Sequence, residues 1–278
     1  MENKLSLGYS TCPNDTFIFY GLSHGLIDCK GMKFDVTLDD VETLNQMAKT
    51  GELDVSKLSF AAMGHLQDTY GLLRSGAALG RGCGPLVIAR PGYDLKELSS
   101  KKVAVPGLWT TASLLLGLYL SETPDTVPIP FDQIMPAVQR GDFDFGVIIH
   151  EGRFTHGEYG LISLVDLGKW WEEETSLPIP LGGIAVHRRI DHVTAKNMDA
   201  AIRKSVSYAM KNPDMADKYI MEHAQEMSRS VVKQHIGLYV NSFTLDMGEE
   251  GVDAVNRLFG LSREKGIIPC STFPLFAY

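Results

Sequence analysis

The chain has 278 residues, 44% of them hydrophobic and 22% charged, a balance that argues against disordered and fibrous classes. The formal net charge is −8 and no Lys- and Arg-rich run stands out, which argues against a nucleic-acid partner. No apolar stretch approaches the roughly 20 residues that span a bilayer, so a membrane location is not expected.

Lys4 to Ser10 alternates as a short strand with no signal-peptide core ahead of it, and Pro13-Asn14-Asp15 then breaks it. Phe17 to Leu26 reads as a helix that Asn14 or Asp15 can cap. Lys33 to Leu38 is a second strand. Val41, Leu44, Met47 and Ala48 form a helical stripe that Gly51 stops, and Leu53 to Phe60 runs into a third strand. The scheme returns with a strand at Lys102 to Val105, a helix at Ala112 to Leu120 and a brief strand at Val127 to Ile129. A stripe at Phe131, Ile134, Ala137 and Val138 follows, stopped by Gly141 before a strand from Phe143 to His150. Alternating strand and helix patterns predict βαβ units.

Gly51-Glu52-Leu53-Asp54-Val55 and Gly141-Asp142-Phe143-Asp144-Phe145 match at a separation of 90 residues. The match predicts two similar α/β lobes. Gly84 to Ala89 and Leu181 to His187 are read as crossover strands between them. The expected division is residues 1–88 plus 187–278 for a large discontinuous lobe and 89–186 for a smaller inserted one. This is the pattern of a two-lobed, type II binding-protein-like fold with a central cleft. Its mostly helical C-terminal part carries apolar faces at Met198 to Met210 and Val252 to Phe259. Ligands of open α/β sheets sit beyond the carboxyl ends of the strands, so the cleft is where a site is expected.

Four segments should meet there. Ser10 to Asp15 offers free peptide N–H groups at a helix start, with Asn14 as a ligand contact or a simple cap. Lys57, Leu58 and Ser59 end the third strand: Lys57 is a partner for a substrate carboxylate or a solvated cation, and Ser59 a ligand donor or a backbone-bonded hydroxyl. Thr110 and Thr111 open a helix, one as its cap and the pair as an anion site. His150 follows an apolar run and precedes Glu151-Gly152-Arg153. A ring at that strand end is either a satisfied core residue or a general base, since imidazole titrates near pH 6.5. Arg153 is a carboxylate fork or a surface ion pair. The other histidines, His235 among them, show no pairing pattern. No metal-ligand spacing, GxSxG, phosphate loop or dinucleotide fingerprint occurs. Cys12, Cys29, Cys83 and Cys270 are scattered without a CxxC pair and read as reduced thiols of a cytoplasmic protein.

Ser10-Thr11-Cys12-Pro13-Asn14-Asp15-Thr16-Phe17-Ile18-Phe19, with Ile148-Ile149-His150-Glu151-Gly152-Arg153-Phe154-Thr155, resembles the 1,4-dihydroxy-6-naphthoate synthase family of the futalosine route to menaquinone. The first motif of that family commonly reads Ser-Pro-Cys-Pro-Asn-Asp, and Thr11 stands here in place of the first proline. The resemblance covers essentially the whole chain. It implies a carbon–carbon lyase that converts cyclic dehypoxanthinyl futalosine to 1,4-dihydroxy-6-naphthoate and releases a three-carbon fragment, with no metal or organic cofactor. It implies that His150 is the proton acceptor and that Lys57 to Ser59 and Thr110-Thr111 hold a small carboxylate substrate. Two other readings compete. A chorismate dehydratase of the same fold usually has an Asn-x-x-Pro loop where Cys12-Pro13-Asn14-Asp15 stands, and a non-catalytic solute-binding protein needs no base at His150.

Overall fold

The computed structural model describes residues 4–120, 124–224 and 228–278. The chain opens with β1 (Leu5–Ser10), α1 (Pro13–Ser23), β2 (Phe34–Asp39), α2 (Val41–Lys49), β3 (Val55–Ser59), α3 (Phe60–Leu66), β4 (Tyr70–Leu72) and β5 (Ala78–Gly80). A second group follows: β6 (Leu86–Ala89), β7 (Lys102–Val105), α4 (Thr111–Tyr119), β8 (Asp125–Pro128), α5 (Phe131–Arg140), β9 (Phe145–Ile148), α6 (Gly152–Thr155), β10 (Ile162–Asp166) and α7 (Leu167–Thr175). Strand β11 (Ile179–His187) precedes a helical end made of α8 (His192–Lys211), α9 (Asp217–His223), α10 (Arg229–Tyr239), α11 (Ser242–Leu245) and α12 (Gly248–Glu264).

Two sheets form. The first runs β2-β1-β3-β11-β4 with β5 also on β11, and the second runs β10-β6-β9-β7-β8. Their central orders correspond: β2-β1-β3-β11 in one and β8-β7-β9-β6 in the other. In each, three parallel neighbours meet an antiparallel fourth. The internal match of 90 residues coincides with this duplication, since α2 and β3 stand in the first unit where α5 and β9 stand in the second. Both helices are set by local chemistry. Asp40 caps α2 by accepting from the Glu42 and Thr43 N–H groups, and Gly141 ends α5 at φ 89°, a left-handed turn that suits glycine.

The two segments read as crossovers each pair within one sheet. Leu86–Ala89 bonds only to second-sheet strands and Ile179–His187 only to first-sheet strands. The chain therefore passes between sheets before Leu86, close to the expected 88/89 position, and again between Asp166 and Ile179, at least seven residues ahead of the expected 186/187 position. Periodicity cannot locate such a passage, because it reports that a segment is a strand and not which strand it pairs with.

Strand β3 stops at Ser59, one residue short of the expected end at Phe60, where a helix starts directly. Helix α1 begins at Pro13, four residues before the predicted start, with Cys12 at its cap position. Proline at the first helical position costs nothing, because its missing N–H has no intrahelical partner. Asn14 and Asp15 consequently lie inside the first turn and cap nothing; their side chains point elsewhere.

One apolar cluster joins residues of both sheets, including Leu58 and Phe60 with Val103, Phe145 and Trp171. The second sheet is also held by a close backbone approach. A Cβ on Gly84 would sit 2.2 Å from the Gly168 nitrogen and 2.3 Å from its Cα. Gly84→Ala is expected to push the turn before β6 away from the start of α7 and to cost about 1–3 kcal/mol of stability in urea denaturation. An unchanged midpoint would mean that the two backbones separate freely.

Candidate active site

A cavity lies at the carboxyl ends of β1, β3 and β9, enclosing about 640 Å³ of empty space with the open solvent at its mouth included. Its lining brings together all seven residues singled out from the sequence: Asn14, Lys57, Leu58, Ser59, Thr110, Thr111 and His150. The predicted placement beyond strand ends follows from the topology, because β1 and β3 run parallel and deliver Ser10 and Ser59 to the same edge.

The floor is a buried ion pair. Lys57 Nζ lies 3.0 Å from Asp15 Oδ1, with side-chain exposures of 5% and 3%. The ammonium also donates to the Gly76 carbonyl at 3.0 Å. Asp15 accepts from Asn14 Nδ2 at 2.9 Å, and its other oxygen accepts from the Ser10 hydroxyl at 2.7 Å and from the Ser10 N–H at 3.3 Å. Four donors fill the acceptor capacity of that carboxylate. Lys57 keeps one N–H for the cavity, and its charge is already compensated by Asp15.

Ser59 accepts from Asn45 Nδ2 at 3.3 Å, while its backbone N–H donates to Asn45 Oδ1 at 3.1 Å. Asn45, fully buried within α2, therefore orients the serine. Its neighbour Glu42 accepts from the Trp109 N–H at 3.2 Å, and Asn45 donates to the Trp109 carbonyl at 3.3 Å, so α2 of the first sheet grips the loop that precedes α4. Burial raises the Glu42 carboxyl above its usual range.

Both threonine hydroxyls are engaged within the protein. Thr110 donates to the Gly107 carbonyl and accepts from the Ser113 N–H as the cap of α4. Thr111 donates to the Leu181 carbonyl at 2.6 Å and accepts from the Ala61 N–H at 3.3 Å, tying α4 to β11 and α3. What α4 offers the cavity is its backbone: the N–H groups of Thr111 and Ala112 belong to the first turn, where no intrahelical acceptor exists. Helix starts attract anions for that reason.

His150 stands opposite. Strand β9 ends at Ile148, so His150 is two residues past the strand end rather than its last residue, in a left-handed turn at φ 56°. A left-handed backbone is unusual for a residue with a Cβ and marks strain at a site. The half-buried ring meets Cys12 Sγ at 3.2 Å from Nε2 and 3.4 Å from Nδ1, and the Phe131 ring edge-on at 5.1 Å. Burial pushes the Cys12 thiol well above its ordinary range, so it stays protonated and can donate to the ring nitrogen that lacks a proton. Burial lowers the His150 pKa below 6.5, outweighing the opposing pull of Glu151 and Asp15. Desolvation and a thiol donor both favour the neutral ring, the form that accepts a proton.

Arg153 does not reach the cavity with free donors. It pairs with Asp166 and donates to the Gly84 carbonyl at 2.8 Å. Among the described residues, no three His, Cys, Asp or Glu side chains converge as metal ligands would, and no helix is long and apolar enough to cross a membrane. Sequence reasoning missed Asn45, Cys12 as a neighbour of His150, Asp15 as the partner of Lys57, and His235. An asparagine between Leu44 and Ala48 on the inward side of a helical stripe was the one available signal, since a buried amide needs partners.

Residues 5–264 match the family model described as "Menaquinone biosynthesis". The chain is 48% identical to the 1,4-dihydroxy-6-naphthoate synthase of Thermus thermophilus, with 98% of each chain covered. It is similar in structure to an Archaeoglobus fulgidus protein, with a TM-score of 0.90 and 36% identity over 95% of this chain and 98% of that one. The ligand-binding component of an ABC-type import system from Staphylococcus aureus shares the fold at TM-score 0.70 and 12% identity, covering 97% of this chain and 94% of the other. The fold is that of the two-lobed binding proteins.

Proposed function

The chain belongs to the menaquinone biosynthesis family, and from that premise we propose that it is a 1,4-dihydroxy-6-naphthoate synthase, a carbon–carbon lyase with His150 as its general base. The observation that carries this reading is an imidazole facing a lysine-floored cavity, where burial favours its neutral form, in a chain that aligns end to end with a named synthase. The substrate is cyclic dehypoxanthinyl futalosine. Its carboxylate has three donors at hand: the remaining N–H of Lys57, the Ser59 hydroxyl and the first-turn N–H groups of α4. His150 takes a proton from the carbon beside a carbonyl, and the electron pair is held as the enolate; in the retro-aldol step that follows, a β-hydroxyl loses its proton, its oxygen pair forms a new C=O on the departing three-carbon fragment, and the pair of the broken C–C bond passes into the ring carbonyl and is protonated. Aromatisation of the product drives the reaction forward.

The two lobes of this reading follow the two sheets, which pair separately and support the division. A cytoplasmic location belongs to the same proposal, and the four free cysteines support it.

Purified protein incubated with cyclic dehypoxanthinyl futalosine should form the naphthoate, followed by absorbance or mass. No turnover would sink the assignment. The pH profile adds a second check: kcat/KM should fall on the acid side as the imidazole protonates. Because burial lowers the pKa of His150, that limb should lie below pH 6.5. A limb above that value would assign it to another group.

A further inference from the structure

The cavity-lining Asn14 leads back to a buried histidine that takes no part in the mechanism above. His235, on α10 and only 1% exposed, places Nε2 3.1 Å from Asn14 Oδ1. The amide orientation is not free, because Asn14 Nδ2 donates to the carboxylate of Asp15. Oδ1 is thus the atom that faces the ring, and an amide oxygen only accepts. Nε2 must carry the hydrogen. The other nitrogen, Nδ1, faces Glu151 Oε2 at 3.9 Å. These two are the buried side-chain polar atoms that lack a hydrogen-bond partner among the described residues. At that separation the two do not hydrogen-bond, so the Nε2–H donated to Asn14 is the side-chain hydrogen bond that orients the ring.

We propose that His235 is a positioning residue for the cleft: its Nε2–H fixes the Asn14 amide, which through Asp15 aims Lys57. The chain of contacts runs from α10 to α1 to β3, so the helical end of the molecule sets the direction of an ammonium group on the cavity floor. The titratable groups facing the ring are Glu151 and His150 from the turn after β9, and Tyr239 from the next turn of α10. Asp15 and Lys57 stand behind Asn14. Burial also lowers the His235 pKa, consistent with a neutral ring.

Two measurements test this. Nitrogen NMR of histidine-labelled wild-type protein should report the neutral Nε2–H tautomer for His235 between pH 6 and 8; an Nδ1–H tautomer or an imidazolium overturns the proposal. The kinetic arm rests on the proposed reaction. His235→Ala should lower kcat/KM about tenfold or more through misdirected groups, and His235→Gln, whose amide can donate to Asn14, should recover it to within about threefold. Equal losses in both variants would reduce His235 to packing. Absence of turnover by the wild type would sink the proposed function alone, since the NMR arm decides this inference without substrate.

Discussion

His150→Ala is expected to lower kcat by about 10²–10⁴-fold, the usual contribution of a positioned general base. The fold should survive, because the ring is only half-buried, sits in a turn outside β9, and has no hydrogen bond to the backbone among its contacts with Cys12 and Phe131. Circular dichroism and the urea midpoint check that. His150→Asn is the sharper control, since asparagine tolerates the left-handed φ of 56° better than alanine does. If both variants lose activity equally, the loss is chemical rather than a relaxation of the turn. Near-normal turnover by either would remove His150 from the proton-transfer step while leaving the family membership intact. Cys12→Ser should act more mildly and in a readable direction. It replaces the thiol that touches both ring nitrogens by a hydroxyl that can still donate.

Asp15→Ala is expected to destabilise the protein by about 3–5 kcal/mol, because it strands Lys57 as an unpaired buried charge. The pair is deep, with both side chains at 5% exposure or less, and only the Gly76 carbonyl remains to meet the ammonium. Asp15→Leu combined with Lys57→Met should recover most of that stability, since a well-packed apolar pair of similar volume is often neutral or better. The recovered protein should be inactive, having lost the donor on the cavity floor. A double-mutant cycle in urea gives the coupling directly. A cost below about 1 kcal/mol for Asp15→Ala would mean that Lys57 moves to solvent and that the floor is not rigid.

These two expectations differ in how visible they were. His150 stood out in the sequence because an apolar run ended on it, just before a glycine. The motif around it resembled a known family at the same place. The internal match of 90 residues was legible for a related reason: helix and strand periods repeat locally, and a duplicated unit repeats them twice. Asp15 was not legible as the partner of Lys57. From the sequence it read as a helix cap, because the helix start could not be placed closer than the Pro13 break. The helix begins at Pro13, and that shift of four residues turns Asp15 from the helix end to the cavity floor. A charged residue in a first turn looks the same whether it faces water or a buried ammonium.

By itself, the sequence determined the alternation of strands and helices, the duplicated unit, the cavity-lining segments and the family resemblance. The alternation and the segments depend on neighbouring residues, the duplication on comparing two such local patterns, and the resemblance on uninterrupted motifs. Only the tertiary structure decided what the polar groups do. Cys12 meets His150 across 138 residues, His235 meets Asn14 across 221, and Thr111 spends its hydroxyl on Leu181 across 70. It also decided which sheet takes β6 and which takes β11. The physical reason is common to all of them. Burial period is written locally by the pitch of a helix or the pleat of a strand, whereas a hydrogen bond between distant polar groups leaves no period in the sequence. Such a bond exists only once packing has removed the water that would otherwise satisfy each group.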